Sequence, residues 1–273
     1  MSVFSSKEIL DKVSDSAIGK CESSSIKLLI LALLAGAYIA FGAGASAMAS
    51  FNLCAESATT GIGKLVAGSV FPIGLILVVL CGAELFTGNC LMIVGLMDKK
   101  VRIINLLRNL VIVYIGNFIG SLLMVFIMSK TGLWDTGDGL LGAIVVKTAA
   151  KKCSLSFGNA FFLGILCNWL VCLAVYLATG AKDMIGKIVA IWFPIMIFVM
   201  SGFEHSIANM YFIPAGIIAS ANDTYVALLN TDISGLTISN FLIKNLLPVT
   251  LGNIVGGSGF VGMLYWLAHR KFD

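Results

Sequence analysis

GFEHSIAN (residues 202–209) puts Glu204 and His205 inside 35 residues, 188–222, that carry no other charged side chain. The stretch has an echo in GAELFTGN (82–89): both read G-x-E-x-x-x-x-N, with Gly82, Glu84 and Asn89 matching Gly202, Glu204 and Asn209. A second pair follows in the same order. RNLVIVYIGNFIG (108–120) and KNLLPVTLGNIVG (244–256) share a basic residue, N-L, five residues, G-N, two residues and G. FPI recurs as well, at 71–73 and 193–195, although its distance to the G-x-E differs by two residues between the copies. The chain therefore holds two related halves.

The composition sets the medium. Of 273 residues, 59% are hydrophobic and 12% charged, against roughly 45–50% and about 25% in soluble domains. Charge-poor runs long enough to cross a bilayer fall at approximately 26–50, 65–97, 106–128, 157–179, 188–220 and 241–268. The halves, about 26–128 and 157–268, contain three crossings each. A copy that follows an odd number of crossings enters the membrane from the opposite face, so the repeat is inverted and its site lies near the midplane.

The expected fold is an all-α membrane protein with six transmembrane helices in two inverted three-helix repeats. Segments 2 and 5 are too long for one straight crossing: about 33 residues at 1.5 Å each exceed a hydrocarbon core of about 30 Å. Each also carries glycine, proline (Pro72; Pro194 and Pro214) and a carboxylate, which favour a break. Helices 2 and 5 are thus expected to be discontinuous. Broken backbone at that depth is tolerated only within protein or along an aqueous cavity. Glu84 and Glu204, with Asn89 and Asn209, are read as support for the breaks, the carboxylates accepting freed backbone N–H groups near positive half-helix ends.

Residues 1–25 mix charges with Ile9, Val13 and Ala17 at a four-residue spacing, an amphipathic surface helix and not a signal peptide. Residues 26–268 form the transmembrane domain and 269–273 a short tail. Seven cysteines, mostly in apolar segments, read as buried thiols. Of the 18 Lys and Arg residues, 12 lie in the tail to Lys27, the second and fourth connections and the C-terminus. That bias puts both termini in the cytoplasm of a cell inner (plasma) membrane. Lys130, Lys147, Lys151 and Lys152 form an exception on the outer side.

His205 is the one histidine far from a chain end. It marks a pathway, or it is a neutral core histidine satisfied by a group such as Asn168 in CNWLVC; both readings are compatible. Thr87, two positions from the repeat-equivalent of His205, is either an anion donor or a threonine bonded to its own backbone. Gly116-x3-Gly120 and Gly252-x3-Gly256 allow close helix packing. No phosphate-binding loop, zinc-type spacing or nucleic-acid stretch occurs, so no cofactor, metal or nucleic-acid partner is expected. Ser201, Glu204, His205 and Ser206 lie on one short turn and do not make a catalytic triangle by spacing; the chain is not read as an enzyme.

GAELFTGN, CNWLVCLA, GFEHSIANM and the repeated GN motifs together resemble the formate/nitrite transporter family along nearly the whole chain. The resemblance implies an aquaporin-like fold and a homopentamer with a pore in each subunit. It assigns Thr87 and His205 to the pore centre with Asn168 beside the histidine, and Lys152 to the approach of anions. A looped break over FPIGLILVV then brings Leu75 to an inner constriction with Phe86 and Val171, and Phe71, Cys172 and Phe198 to an outer one. The implied partners are small weak-acid anions (hydrosulfide, nitrite, formate) and the lipid bilayer. CNWLVCLA and AGAYIAFG resemble the nitrite and hydrosulfide branches more than the formate branch. Because a bare anion in a dry slit carries a Born cost of tens of kcal/mol in the idealised limit, the central pair is expected to stabilise the anion or to supply a proton. A proton-coupled transporter, a flux-free receptor and gating by residues 1–20 are the alternatives.

Overall fold

In lipid an apolar segment satisfies its own backbone only as a helix, and among the described residues this chain is helical almost throughout. A computed structural model describes residues 3–272; residues 1–2 and 273, the outermost positions of the expected N-terminal segment and tail, lie outside the described residues. Among the described residues six helices are long and apolar enough to span a membrane: α2 (Ser25–Ala55), α3 (Thr60–Leu80), α5 (Ile103–Ser129), α7 (Phe157–Gly180), α8 (Met184–Ser201) and α11 (Asn240–Lys271). Two shorter apolar helices, α4 (Phe86–Met97) and α9 (Ser206–Ala219), continue α3 and α8 after a break. The remaining helices are α1 (Ser6–Glu22), α6 (Leu140–Cys153) and the short α10 (Asp223–Ala227).

Both breaks are made the same way. The chain leaves α3 through Gly82 at φ 74° and α8 through Gly202 at φ 75°, a left-handed conformation that costs a residue with a Cβ about 1–2 kcal/mol. Ala83 N–H and Phe203 N–H turn back to the carbonyls of Val78 and Phe198. Pro72 only kinks α3, with Phe71 at the bend; the backbone opens ten residues later, so the expected loop over FPIGLILVV is replaced by a kink there and a break at 81–85.

Side chains from the repeated GN motif complete each break. Asn117 Oδ1 accepts from Phe86 N–H at 2.9 Å, and its amide donates to the carbonyls of Ala32 and Glu84. Asn253 does the same for Ser206 N–H, Gly164 and Glu204. The freed backbone groups therefore go to asparagines, not to the glutamates as expected. An amide both donates and accepts, which a broken strand of backbone needs; a carboxylate only accepts. The glycines beside these asparagines allow the contact: a Cβ on Gly120 would meet the Leu33 carbonyl, and one on Gly256 the Ile165 carbonyl.

α1 starts with a capping box, Ser5 with Glu8. It is amphipathic, but its apolar face docks on α4 and α7 and not on lipid, with Leu10 and Ala17 fully buried. α6 packs on α9 from the opposite face of the bundle.

Candidate functional site

The two breaks bring the N-termini of α4 and α9 together at the centre of the chain. Thr87 Oγ1 lies 2.9 Å from His205 Nε2, and both residues are buried. His205 is also the N-cap of α9: its Nδ1 accepts from Ala208 N–H at 3.1 Å. That bond assigns the tautomer, since a nitrogen that accepts carries no hydrogen. The neutral ring then holds its hydrogen on Nε2 and donates it to Thr87, and the Thr87 hydroxyl hydrogen stays uncommitted to His205. An imidazolium would set an Nδ1–H against the Ala208 N–H and lose the cap. Two helix N-termini and two side-chain donors thus converge on one point, an arrangement that favours negative charge.

Asn168 does not bond to the histidine ring. Its amide donates to the carbonyls of Thr87 (3.2 Å) and Asn253 (2.7 Å), fixing the first turn of α4 to α11. Phe198 stacks on His205 at 5.9 Å and meets Phe71 edge-on at 5.5 Å.

Beside the pair lies a cavity of about 10 Å³ lined by Ile39, Phe71, Leu75, Leu85, Val171, Ile195, Phe198 and His205. That is at the lower limit of what holds one water molecule. Phe71, Leu75, Val171 and Phe198 therefore line one cavity, where two separate constrictions were expected. Phe86 and Cys172 do not line it. The Phe86 ring packs on Tyr114 at 4.9 Å, facing α5, and the Cys172 thiol is directed to the Thr87 carbonyl at 3.3 Å, in the packing behind α4. Each sits one helical position away from the residue that faces the cavity, Leu85 for Phe86 and Val171 for Cys172. Sequence reasoning missed Leu85, although it occupies the repeat position of His205.

The glutamates anchor two matching polar clusters. Lys152 Nζ is 2.8 Å from Glu204 Oε1, and Asn209 donates to Glu204 Oε2 (2.7 Å) and Asn245 Oδ1 (2.7 Å). On the other side Lys20 Nζ lies 2.7 and 2.8 Å from the two Glu84 oxygens, while Asn89 donates to Glu84 Oε2 (2.7 Å) and Asn109 Oδ1 (2.8 Å). Asn245 and Asn109 donate in turn to the Lys152 and Lys20 carbonyls. Lys152 is thus neutralised inside the protein and stacked 5.4 Å from the Phe212 ring; Lys130, Lys147 and Lys151 are exposed. Lys20 was not anticipated as a site residue. It forms, with Val13 and Ser16 of α1, one wall of a 240 Å³ vestibule that reaches Glu84, Asn89, Leu75 and Leu85.

The family described as "Formate/nitrite transporter" matches residues 7–267. A "Probable formate transporter" of Methanothermobacter thermautotrophicus is 44% identical over 259 residues, covering 90% of this chain and 89% of the relative. "Formate channel FocA" of Escherichia coli (strain K12) is 39% identical over 270 residues, covering 95% and 93%. Among solved structures, a "Pentameric formate channel with formate bound" superposes with a TM-score of 0.79 at 38% identity, covering 90% of this chain and 97% of that one. An "FNT family ion channel" superposes with a TM-score of 0.78 at 28% identity, covering 96% and 98%.

Proposed function

This chain belongs to the formate/nitrite transporter family, and from that premise we propose that it is a channel for small monovalent weak-acid anions, with formate as its principal substrate. The observation that carries the reading is the buried Thr87–His205 pair at 2.9 Å, where two helix N-termini meet beside an apolar cavity. Naming formate first rests on the relatives, whose printed names carry formate; nitrite and hydrosulfide share its charge and small size.

An anion entering from the vestibule passes Lys20 and Glu84, crosses the slit of Leu75, Leu85 and Val171, and reaches Thr87 and His205. It leaves between Phe71 and Phe198. The slit is narrower than any of these anions, so conduction requires the apolar side chains to part. At the centre, the Thr87 hydroxyl and the helix N-termini replace part of the lost hydration. With Nδ1 engaged by Ala208, His205 acts as a hydrogen-bond donor; to supply a proton it first has to release that cap. The working assembly is a homopentamer, by analogy with the pentameric structural neighbour, in an inner membrane with both termini cytoplasmic, by the distribution of basic residues.

Flux into proteoliposomes, compared for formate, nitrite and hydrosulfide at several pH values with and without an imposed proton gradient, tests the proposal. Formate equilibrating fastest, without accumulation, is expected. Accumulation driven by the gradient moves the chain to the proton-coupled class, faster hydrosulfide than formate reassigns the substrate, and no flux of any of the three overturns the reading.

A further inference from the structure

Two buried side-chain polar atoms among the described residues have no hydrogen-bond partner, Ser206 Oγ and Asn209 Oδ1. They lie three residues apart near the start of α9, and therefore on neighbouring positions of one helix face. Both residues are fully buried. We propose that these two atoms hold one bound water molecule at the start of α9, in the second half of the repeat.

Neither atom can satisfy itself. Several buried or half-buried helical serines of this chain donate back to a carbonyl one turn earlier: Ser46 to Ala43, Ser50 to Ser46, Ser69 to Leu65. Ser206 is the first residue of α9, and the turn that would have offered it a carbonyl is the break itself. Asn209 is equally constrained. Its amide nitrogen faces two acceptors, Glu204 Oε2 and Asn245 Oδ1, so turning the amide over would set oxygen against a carboxylate. Oδ1 must point away, and the negative charge on the nitrogen side makes that oxygen a stronger acceptor. What binds there has to bring hydrogens. Water does, and it can also accept from the serine hydroxyl.

The two halves differ in the size of the groups placed here. Phe86 and Ser206 are equivalent, each giving its N–H to the asparagine of a GN motif, and Tyr114 and Thr250 precede those asparagines by three residues. In the first half the two rings pack on one another at 4.9 Å. The second half has serine and threonine instead, and the Tyr114 hydroxyl crosses over to bond Thr250 at 2.9 Å. Two ring-sized groups are replaced by small polar ones, in a place where a water needs two to four polar partners. The water would keep Asn209 oriented toward Glu204, and so acts through the Lys152 cluster. The inference does not depend on which anion the channel carries.

A high-resolution map of the intact assembly and the thermal melt of Ser206→Ala test it together. Density is expected at about 2.7–3.2 Å from both Ser206 Oγ and Asn209 Oδ1, and Ser206→Ala should melt about 2–4 °C lower because a bonded hydroxyl is lost and its water left short. A map that resolves other buried waters but none here overturns the proposal. So does a Ser206→Ala protein that melts higher, since deleting an unpartnered buried hydroxyl relieves a penalty.

Discussion

Leu85 in the first half and His205 in the second occupy the same place on the same scaffold. Around them the glycine turn, the GN asparagine and the lysine–glutamate–asparagine cluster are repeated with the same residue types in the same places, so the scaffold is the common inheritance and the residues at the break tips are what differ. The halves diverge again on the approaches. Ala83, Leu91 and Met92 line the vestibule of the first half; the equivalent positions of the second are Phe203, Tyr211 and Phe212. One side holds a 240 Å³ vestibule and the other places aromatic rings at the same positions, while the central pair comes from two departures from symmetry, His205 against Leu85 and Thr87 against Ile207. Two copies of the first half would place leucines at both tips and leave Thr87 without its histidine partner.

The largest effect should come from the clusters. Glu204 and Lys152 have side chains only 6% and 15% exposed, against 12% and 27% for Glu84 and Lys20. Glu204→Leu leaves a buried ammonium without its partner, a loss of about 3–5 kcal/mol, and should disrupt the assembled protein in a thermal melt or by size-exclusion chromatography. Glu84→Leu leaves Lys20 beside a 240 Å³ vestibule into which it can turn for water, and should cost about 1–2 kcal/mol. Equal losses would mean that the two clusters are energetically alike despite their different burial.

Next comes the broken symmetry itself. His205→Leu converts the second tip into a copy of the first, removing both the bond to Thr87 and the cap on Ala208 N–H. Formate flux should fall about 10- to 100-fold, the worth of one hydrogen bond to a charged group, and stability by about 0.5–2 kcal/mol for the cap. His205→Asn keeps a capping side chain and should recover the stability without the flux. Uptake and pH dependence both unchanged in His205→Leu would remove the histidine from the pathway.

Much of this was legible in the sequence because the repeat is written in residues that only special backbone demands. Gly82 and Gly202, and the GN pairs at 116–117 and 252–253, stand out against apolar surroundings, and from them the inversion and both breaks follow. The site was legible less evenly. Thr87, His205, Phe71 and Phe198, singled out from the sequence, lie together; the backbone role expected of the glutamates falls to Asn117 and Asn253, because spacing along one helix does not reveal that these reach across from another. Lys20 was missed although its signal is present: Lys20-Cys21-x-x-Ser24 repeats as Lys152-Cys153-x-x-Ser156, and both serines cap the next spanning helix. The repeat therefore begins at α1 and α6, one element earlier than the hydrophobic segments suggest. Hydropathy marks what crosses the membrane and is silent about short helices that only lean on it.

That earlier start sharpens one last contrast. α6 lies between two spanning helices of the chain, whereas α1, which precedes α2, carries a polar tether on its face. Asp98 supplies it, accepting from Ser14 Oγ of α1 (2.6 Å), from Trp266 Nε1 (2.7 Å) and from Arg270, whose guanidinium also holds Asp11 of α1. Burial pushes the Asp98 carboxyl up, but the bonds from Ser14, Trp266 and Arg270 with the Arg270 charge outweigh it and hold the group below its ordinary value. A depressed carboxyl contributes stability that is full above its ordinary pKa, about 3.9, and is lost as pH falls through the lower folded value. Amide exchange in α1 should therefore quicken in that acid range while α6 stays protected. Asp98→Ala should produce the same loosening near neutral pH, by about two- to fivefold because the clamp is partly solvated. If α6 loosens alongside α1, the Asp98 clamp is not what distinguishes them.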